Sequence, residues 1–375
     1  MKGFLYFGRL EKEKWFDAIL GMIRMFLYRW ELPFSLFVFG AGSYEEELKE
    51  LAGKSKNIHF FGWKTLPEIQ RYVDNCEYCL MPSTFLETFW LTALTAISRW
   101  LPVVWYKKWW LVPFIENDLN LENYEWLCTD EKLFNCVTKL LEESTKKRKP
   151  IVDIKNYSKE NRIIRFLPLI WKHKKILLAS DFINKVWWIE TYIHDVKDVL
   201  ESHWYEVKIW WRRLPKWFFG KIKKIFGIWW GAFNFIDAFR LRIFCKKRKP
   251  DVIWYNSTLR RLWWMSIWVW KFCAKERWMM YHDLWYFFPF PKKLLYTKQI
   301  KKPLTLFSFL SMVNSIHPTV FFFVAGKYLS LSLLKRRLSK IDKHLVPSNF
   351  LINILHESHN ISKKKIFCLE HFLQK

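Results

Sequence analysis

Apolar residues in the first 145 positions come in short runs, separated by longer stretches where they recur at helical spacing. The runs at 4–7, 35–39, 58–61, 78–81 and 102–104 read as strands, and the stretches at 15–29, 44–51 and 131–143 read as helices. Alternation of this kind predicts a parallel sheet with helices packed on its faces. A charged segment opening with KKRKP follows, and 146–173 reads as a connector.

The same rhythm resumes beyond it. KILLAS at 175–180 is an apolar strand of the buried parallel kind, followed by a loop at 184–188 and a helix over 190–201. Further strands are expected at 205–209, 251–254, 278–281 and 343–346, and 303–338 reads as mainly helical. The expected fold class is therefore α/β, with two doubly wound Rossmann-like domains at 1–145 and 174–375. The most apolar run, 319–325, is far too short to span a bilayer.

Composition changes this picture in three ways. The chain of 375 residues carries 62 basic against 35 acidic residues, a net charge of +27, which attracts phosphates of any kind. Basic and aromatic residues interleave between Arg212 and Lys249, in the manner of a cationic surface for anionic membranes or of a solvated helix face. Nucleic acid is not an expected partner, because the charge is spread over both halves without a recognition motif. Seven cysteines without framework spacing suit a reducing compartment, and Cys76 and Cys79 read as strand flanks, not as half of a metal site. There are 25 tryptophans and only 11 glycines, although glycine alone normally supplies about 7% of a chain.

Four phrases in the first half carry a resemblance: FGRLEKEKW at 7–15, FVFGAGSYEEEL at 37–48, NIHFFGW at 57–63 and MPSTFLETFWLTAL at 81–94. They resemble the C-terminal, nucleotide-sugar-binding domain of family 4 glycosyltransferases of the two-domain GT-B fold. The second half resembles the N-terminal, acceptor-side domain of that family, through KILLASDFINKVWWIETYIHDV at 175–196, PDVIWYNST at 250–258, YHDLWYFFPFP at 281–291 and LVPSNF at 345–350. The order is inverted relative to the family. Two explanations stay open, a circular permutation of one enzyme or the middle of a tandem pair.

The resemblance implies transfer of a hexose from a nucleotide-diphosphate sugar to a glycan or lipid-linked acceptor, with retention of configuration and with neither metal nor other cofactor. The expected location is cytoplasmic, and the basic aromatic stretch leaves two readings, peripheral contact with an anionic membrane at its inner face or a solvated helix face. Arg9 and Lys14 match the GRL-x-x-x-K positions that clamp the diphosphate, and Glu87 matches the first acid of the E-x7-E motif, a contact to hydroxyls of the donor sugar. Thr88, Phe89, Trp90 and Leu91 follow as donor-binding positions, and Thr95 stands where the second acid, which grips the ribose, would fall. Trp187 and Trp188 match a Gly-Gly loop that passes close to the diphosphate, and His282 matches a histidine at a strand end, assigned to substrate positioning or charge stabilisation. The missing acid and the inverted order make an inactive or truncated piece of a tandem glycosyltransferase, acting as a scaffold, the alternative function.

Tryptophan recurs where the family has glycine. KEKWF, LETFWL, RWLPV, VWWIE and HDLWY each become a family phrase when Trp is replaced by Gly. Glycine serves where the backbone needs positive φ or close approach, and Trp is the bulkiest alternative. One reading is a UGA codon that means glycine in the host and tryptophan in the written translation; the other is an unusually Trp-rich core.

Overall fold

The computed structural model describes residues 1–29, 31–82, 91–105, 129–143, 154–180, 188–211, 235–257, 273–282, 332 and 338–372. The chain forms two compact units that divide between Tyr157 and Ser158. The division falls inside the stretch expected as a connector, whose second half is built into the second unit.

In the first unit the strands are β1 (Gly3–Phe7), β2 (Ser35–Phe39), β3 (Ile58–Phe60), β4 (Tyr78–Met81) and β5 (Val103–Trp105), in the order β3-β2-β1-β4-β5. Every described pairing between them is parallel. Helices α1 (Phe16–Arg29), α2 (Glu45–Ala52), α3 (Leu66–Val73), α4 (Leu91–Ser98) and α5 (Asp130–Glu142) interleave with them. The helix α1 buries Phe16, Ile19, Leu20, Ile23 and Phe26, spaced three and four apart. It meets α5 where the Phe26 and Phe134 rings lie 4.4 Å apart.

The second unit opens with α6 (Lys159–Ile164) and α7 (Leu167–Ile170), whose Ile163, Phe166 and Ile170 join its core. Lys159 pairs with Asp195 at 3.0 Å, and the pair of Arg162 with Glu370 ties the start of this unit to its end. The strands are β6 (Lys175–Ser180), β7 (Glu206–Trp211), β8 (Val252–Ser257), β9 (Glu276–Met280), β10 (Lys343–Val346) and β11 (Ile366–Cys368). Their order is β11-β10-β9-β8-β6-β7, again all parallel. The described helices around them are α8 (Trp188–Ser202), α9 (Phe235–Arg248) and α10 (Asn349–His359). Two α/β sheets with interleaved helices is the expected class. The part of the basic stretch at 235–248 is the helix α9, and the expected helical region at 303–338 lies outside the described residues except for 332 and 338.

One acidic device recurs at the amino ends of the strands. Glu77, just before β4, accepts the Gly3 N–H of β1. Asp251, just before β8, accepts the N–H groups of Lys174 and Lys175 at 2.9 and 3.0 Å and pairs with Lys275 at 2.8 Å. Asp342, just before β10, accepts the Arg277 N–H of β9 at 2.9 Å and its guanidinium Nε at 3.0 Å. Each acid satisfies a donor that a parallel ladder leaves open at its start.

Three helical ends share a second device. Chain reversals at Trp15, Trp100 and Trp204 have the paired hydrogen bonds of a Schellman motif. Phe16 N–H reaches Glu11 O at 3.4 Å and Trp15 N–H reaches Lys12 O at 2.9 Å. Leu101 and Trp100 bond Ala96 and Ile97 at 3.1 and 2.9 Å, and Tyr205 and Trp204 bond Leu200 and Glu201 at 3.2 and 3.1 Å. The motif requires a left-handed residue, and the three tryptophans have φ of 53°, 62° and 67°. For a residue with a Cβ that conformation costs about 1–2 kcal/mol.

Asp251 provides a stability test. Burial works against its charge, yet Lys275 and the Lys175 and Lys174 N–H groups hold the carboxyl down at about 2. Asp251→Ala is expected to lower the unfolding free energy by about 1–3 kcal/mol, read as a lower urea midpoint at unchanged slope. Asp251→Asn keeps one acceptor and loses less. An unchanged midpoint in the alanine variant would remove the capping role.

Candidate functional site

In a doubly wound sheet, ligands bind beyond the carboxyl ends of the strands, at the point where strand order reverses. In the first unit that point lies between β1 and β4, because β2 pairs on one side of β1 and β4 on the other. The loop leaving β1 runs from Gly8 to the 3-10 turn Lys12–Lys14 and carries Arg9 and Lys14. Arg9 is exposed and Lys14 half-buried.

The loop is held by its middle. Leu10 is fully buried, its N–H donates to Ala41 O at 3.1 Å and its carbonyl accepts from Tyr44 N–H at 3.2 Å. Glu11 accepts from the Ser43 hydroxyl at 3.0 Å, and the Tyr6 hydroxyl donates to the Arg9 carbonyl at 2.7 Å. These bonds join the β1 loop to the loop after β2 so closely that side chains are excluded between them. A Cβ on Gly40 would lie 1.8 Å from Gly8 O, and one on Gly42 2.2 Å from Leu10 O. The GAG of the phrase FVFGAG is therefore a steric requirement of the loop that carries Arg9 and Lys14.

Glu87, Thr88, Phe89 and Trp90 lie outside the described residues. Leu91 opens α4, and Thr95 is half-exposed within that helix, its carbonyl accepting from Ser98 Oγ at 2.7 Å.

In the second unit strand order reverses between β6 and β8. Trp187 lies outside the described residues, and Trp188 is the first residue of α8. His282 sits two residues past β9 and is wholly buried. Its ring stacks on that of His371, two residues past Leu369, with centroids 5.3 Å apart and planes 9° from parallel. Tyr192 of α8 meets both rings edge-on, at 5.0 and 5.4 Å, and stacks on Phe372 at 4.9 Å. Burial, and then the neighbouring His371, push the His282 imidazole well below its ordinary value, and burial takes His371 down to about 3. Both rings are neutral at physiological pH, so each offers one donor and one acceptor instead of a charge.

The sequence did not single out His371 or Tyr192. A lone histidine in HFLQK and a tyrosine on a helix have no spacing signal, and only the fold brings them to His282. Among the described residues there is no cluster of histidine, cysteine and acidic groups able to hold a metal ion, and no helix is long and apolar enough to cross a membrane.

Two parallel α/β sheets, the first with a basic loop at its switch point, define the doubly wound class of folds. Residues 2–142, which lie within the first unit, match the family described as glycosyl transferases group 1. No curated protein matches the chain. Among solved structures it is similar to the catalytic domain of cholesterol-α-glucosyltransferase from Helicobacter pylori, at 18% identity over 39% of this chain and 91% of that one, with a TM-score of 0.31. It is also similar to the C-terminal domain of the glycosyl transferase group 1 family protein LpcC from Francisella tularensis, at 22% identity over 40% and 80%, with a TM-score of 0.31. A GtfA/B complex aligns at 21% identity over 39% of this chain and 30% of that one, with a TM-score of 0.31.

The neutral histidines yield a pH prediction. His282, His371 and His344, the last also lowered to about 3 mainly by burial, bind a proton on unfolding but not in the fold. Their contribution is complete above about pH 6.5 and declines as pH falls toward 3, by about 1.4 kcal/mol per pH unit for each group. The urea midpoint is expected to stay level from pH 8 to 7 and to fall between 6.5 and 5. A midpoint independent of pH down to 5 would contradict the buried neutral state.

Proposed function

We propose that the chain transfers a hexose from a nucleotide-diphosphate sugar to a glycan or lipid-linked acceptor, with retention and without a metal ion. The carrying observation is the loop from Gly8 to Lys14, which leaves the central strand of the unit that matches glycosyl transferases group 1 at its switch point and bears Arg9 and Lys14. The divided anatomy of the chain is read the same way, with a donor domain over 1–145 and an acceptor-side domain over 174–375, whose core also takes in Ile163, Phe166 and Ile170 from the stretch between them.

As the bond between the sugar and the diphosphate breaks, negative charge grows on the departing phosphate oxygens. Groups that bind this charge more strongly than the intact donor accelerate the step. Arg9 presents a planar fork suited to two phosphate oxygens, and Lys14 a compact charge on a flexible stem. Together they supply the neutralisation that a divalent cation would otherwise provide. Glu87 is assigned to hydroxyls of the donor sugar, and Thr88, Phe89, Trp90 and Leu91 to donor contact by their place in the phrase ETFWL. Thr95 offers a hydroxyl where a carboxylate would hold the ribose, which weakens nucleotide binding. On the acceptor side, Trp187 and Trp188 are assigned by their place in the phrase VWWIE. The burial and neutrality of His282 favour substrate positioning by hydrogen bonding over charge stabilisation. The basic surface of the chain suits peripheral contact with anionic lipid at the cytoplasmic face of a membrane.

The test uses UDP-, GDP- and ADP-hexoses in turn, reading donor hydrolysis and sugar transfer. Arg9→Ala and Lys14→Ala are each expected to lower turnover by about 10²–10³-fold with an unchanged urea midpoint. Parental activity in both variants would rule out the diphosphate clamp. Thr95→Glu is expected to tighten nucleoside diphosphate binding roughly tenfold, measured by calorimetry; weaker or equal binding would remove position 95 from the ribose site.

A further inference from the structure

We propose that positions 15, 100 and 204 are glycine in the protein made by its native host, whose gene carries UGA at these codons and whose ribosomes read UGA as glycine. The inference stands on backbone geometry and does not depend on the sugar-transfer reading. Among the described residues, five non-glycine positions have positive φ: Trp15, Trp100, Trp204, Lys249 and Asn360. Asparagine is the side chain that best tolerates that region. Tryptophan makes up 25 of 375 residues, yet it supplies three of these five positions.

The three tryptophans also share one environment. Each is the left-handed residue of a Schellman motif, the position where helices end on glycine because no Cβ is present to clash. A bulky aromatic gains nothing there. The Trp204 side chain is 95% exposed and that of Trp100 49% exposed, so neither pays for its conformation through packing. Trp15 lies partly against the core, but its indole N–H is buried without an acceptor among the described residues.

Trp278 shows the contrast. It lies in the extended strand β9, its indole N–H donates to Glu276 at 2.7 Å and Lys343 stands 4.5 Å above its ring. Here the indole N–H is used; at 100 and 204 the side chain is exposed, and at 15 the indole N–H is buried without an acceptor among the described residues.

The experiment reads the residues directly. Protein purified from the native host is digested, and the peptides spanning 15, 100 and 204 are sequenced by mass spectrometry alongside the genomic codons. The expected result is UGA at all three codons and glycine in all three peptides, each lighter by the difference between a tryptophan and a glycine residue. UGG codons, or tryptophan in these peptides, overturn the proposal. A second measurement uses the chain as written, made in a host that reads UGG as tryptophan. Trp100→Gly and Trp204→Gly should each raise the folded-to-unfolded ratio about fivefold, while Trp→Ala at the same sites, which keeps a Cβ, should give a smaller gain. An alanine variant as stable as the glycine variant would show that the left-handed backbone is not what the position demands.

Discussion

Parallel pairing is the constraint on which the rest depends, since every described strand in both sheets runs in the same direction as its neighbours. A parallel sheet has two unlike edges. All its strands start on one and all end on the other, so every loop that leaves a strand opens on the same side. Arg9 and Lys14 follow the end of β1, and His282 and His371 follow β9 and β11. Within each sheet, the shared direction of the strands brings the ends of strands that are far apart in sequence to one side.

The two edges have correspondingly different chemistry. At the amino edge, Glu77, Asp251 and Asp342 each stand one residue before a strand and accept N–H groups from the neighbouring one. These are charge-assisted bonds that fix register. At the carboxyl edge of the second sheet the polar groups are neutral imidazoles packed against aromatic rings. Charge at the amino edge holds strands in place in both sheets, whereas the carboxyl edge carries Arg9 and Lys14 in the first sheet and the neutral His282 and His371 in the second.

Much of this was legible in the chain because buried parallel strands are continuous apolar runs. Residues 35–39, 78–81, 175–180 and 343–346 are strands in the structure as their runs predict. Strand β11 carries little signal, because Ile366–Cys368 is short and follows a run of lysines. Helix α3 is marked only by the capping box of Thr65 and Glu68 at its start, in TLPE. Strand order could not be read at all, since it depends on which distant runs pair. For the same reason Arg9 and Lys14 were recognisable from one local phrase, whereas Tyr192 and His371 became visible only once three elements met around His282.

The first sheet also shows why glycine content bears on the candidate site. Strands β1, β2 and β3 are each followed within two residues by glycine, at Gly8, Gly40 and Gly62. The Gly40 N–H donates to Gly62 O at 2.9 Å, and Gly8 N–H donates to Phe39 O at 3.0 Å. The three loops therefore touch through backbone, and a single Cβ at Gly40 would overlap the Gly8 carbonyl. Position 15 closes the same loop at its far end: its left-handed conformation turns the chain from Lys14 into α1. A loop pinned by backbone contacts at one end can present Arg9 and Lys14 reproducibly only if its other end turns without strain. The identity of residue 15 thus bears on the shape of the loop that carries both cations, through the backbone alone.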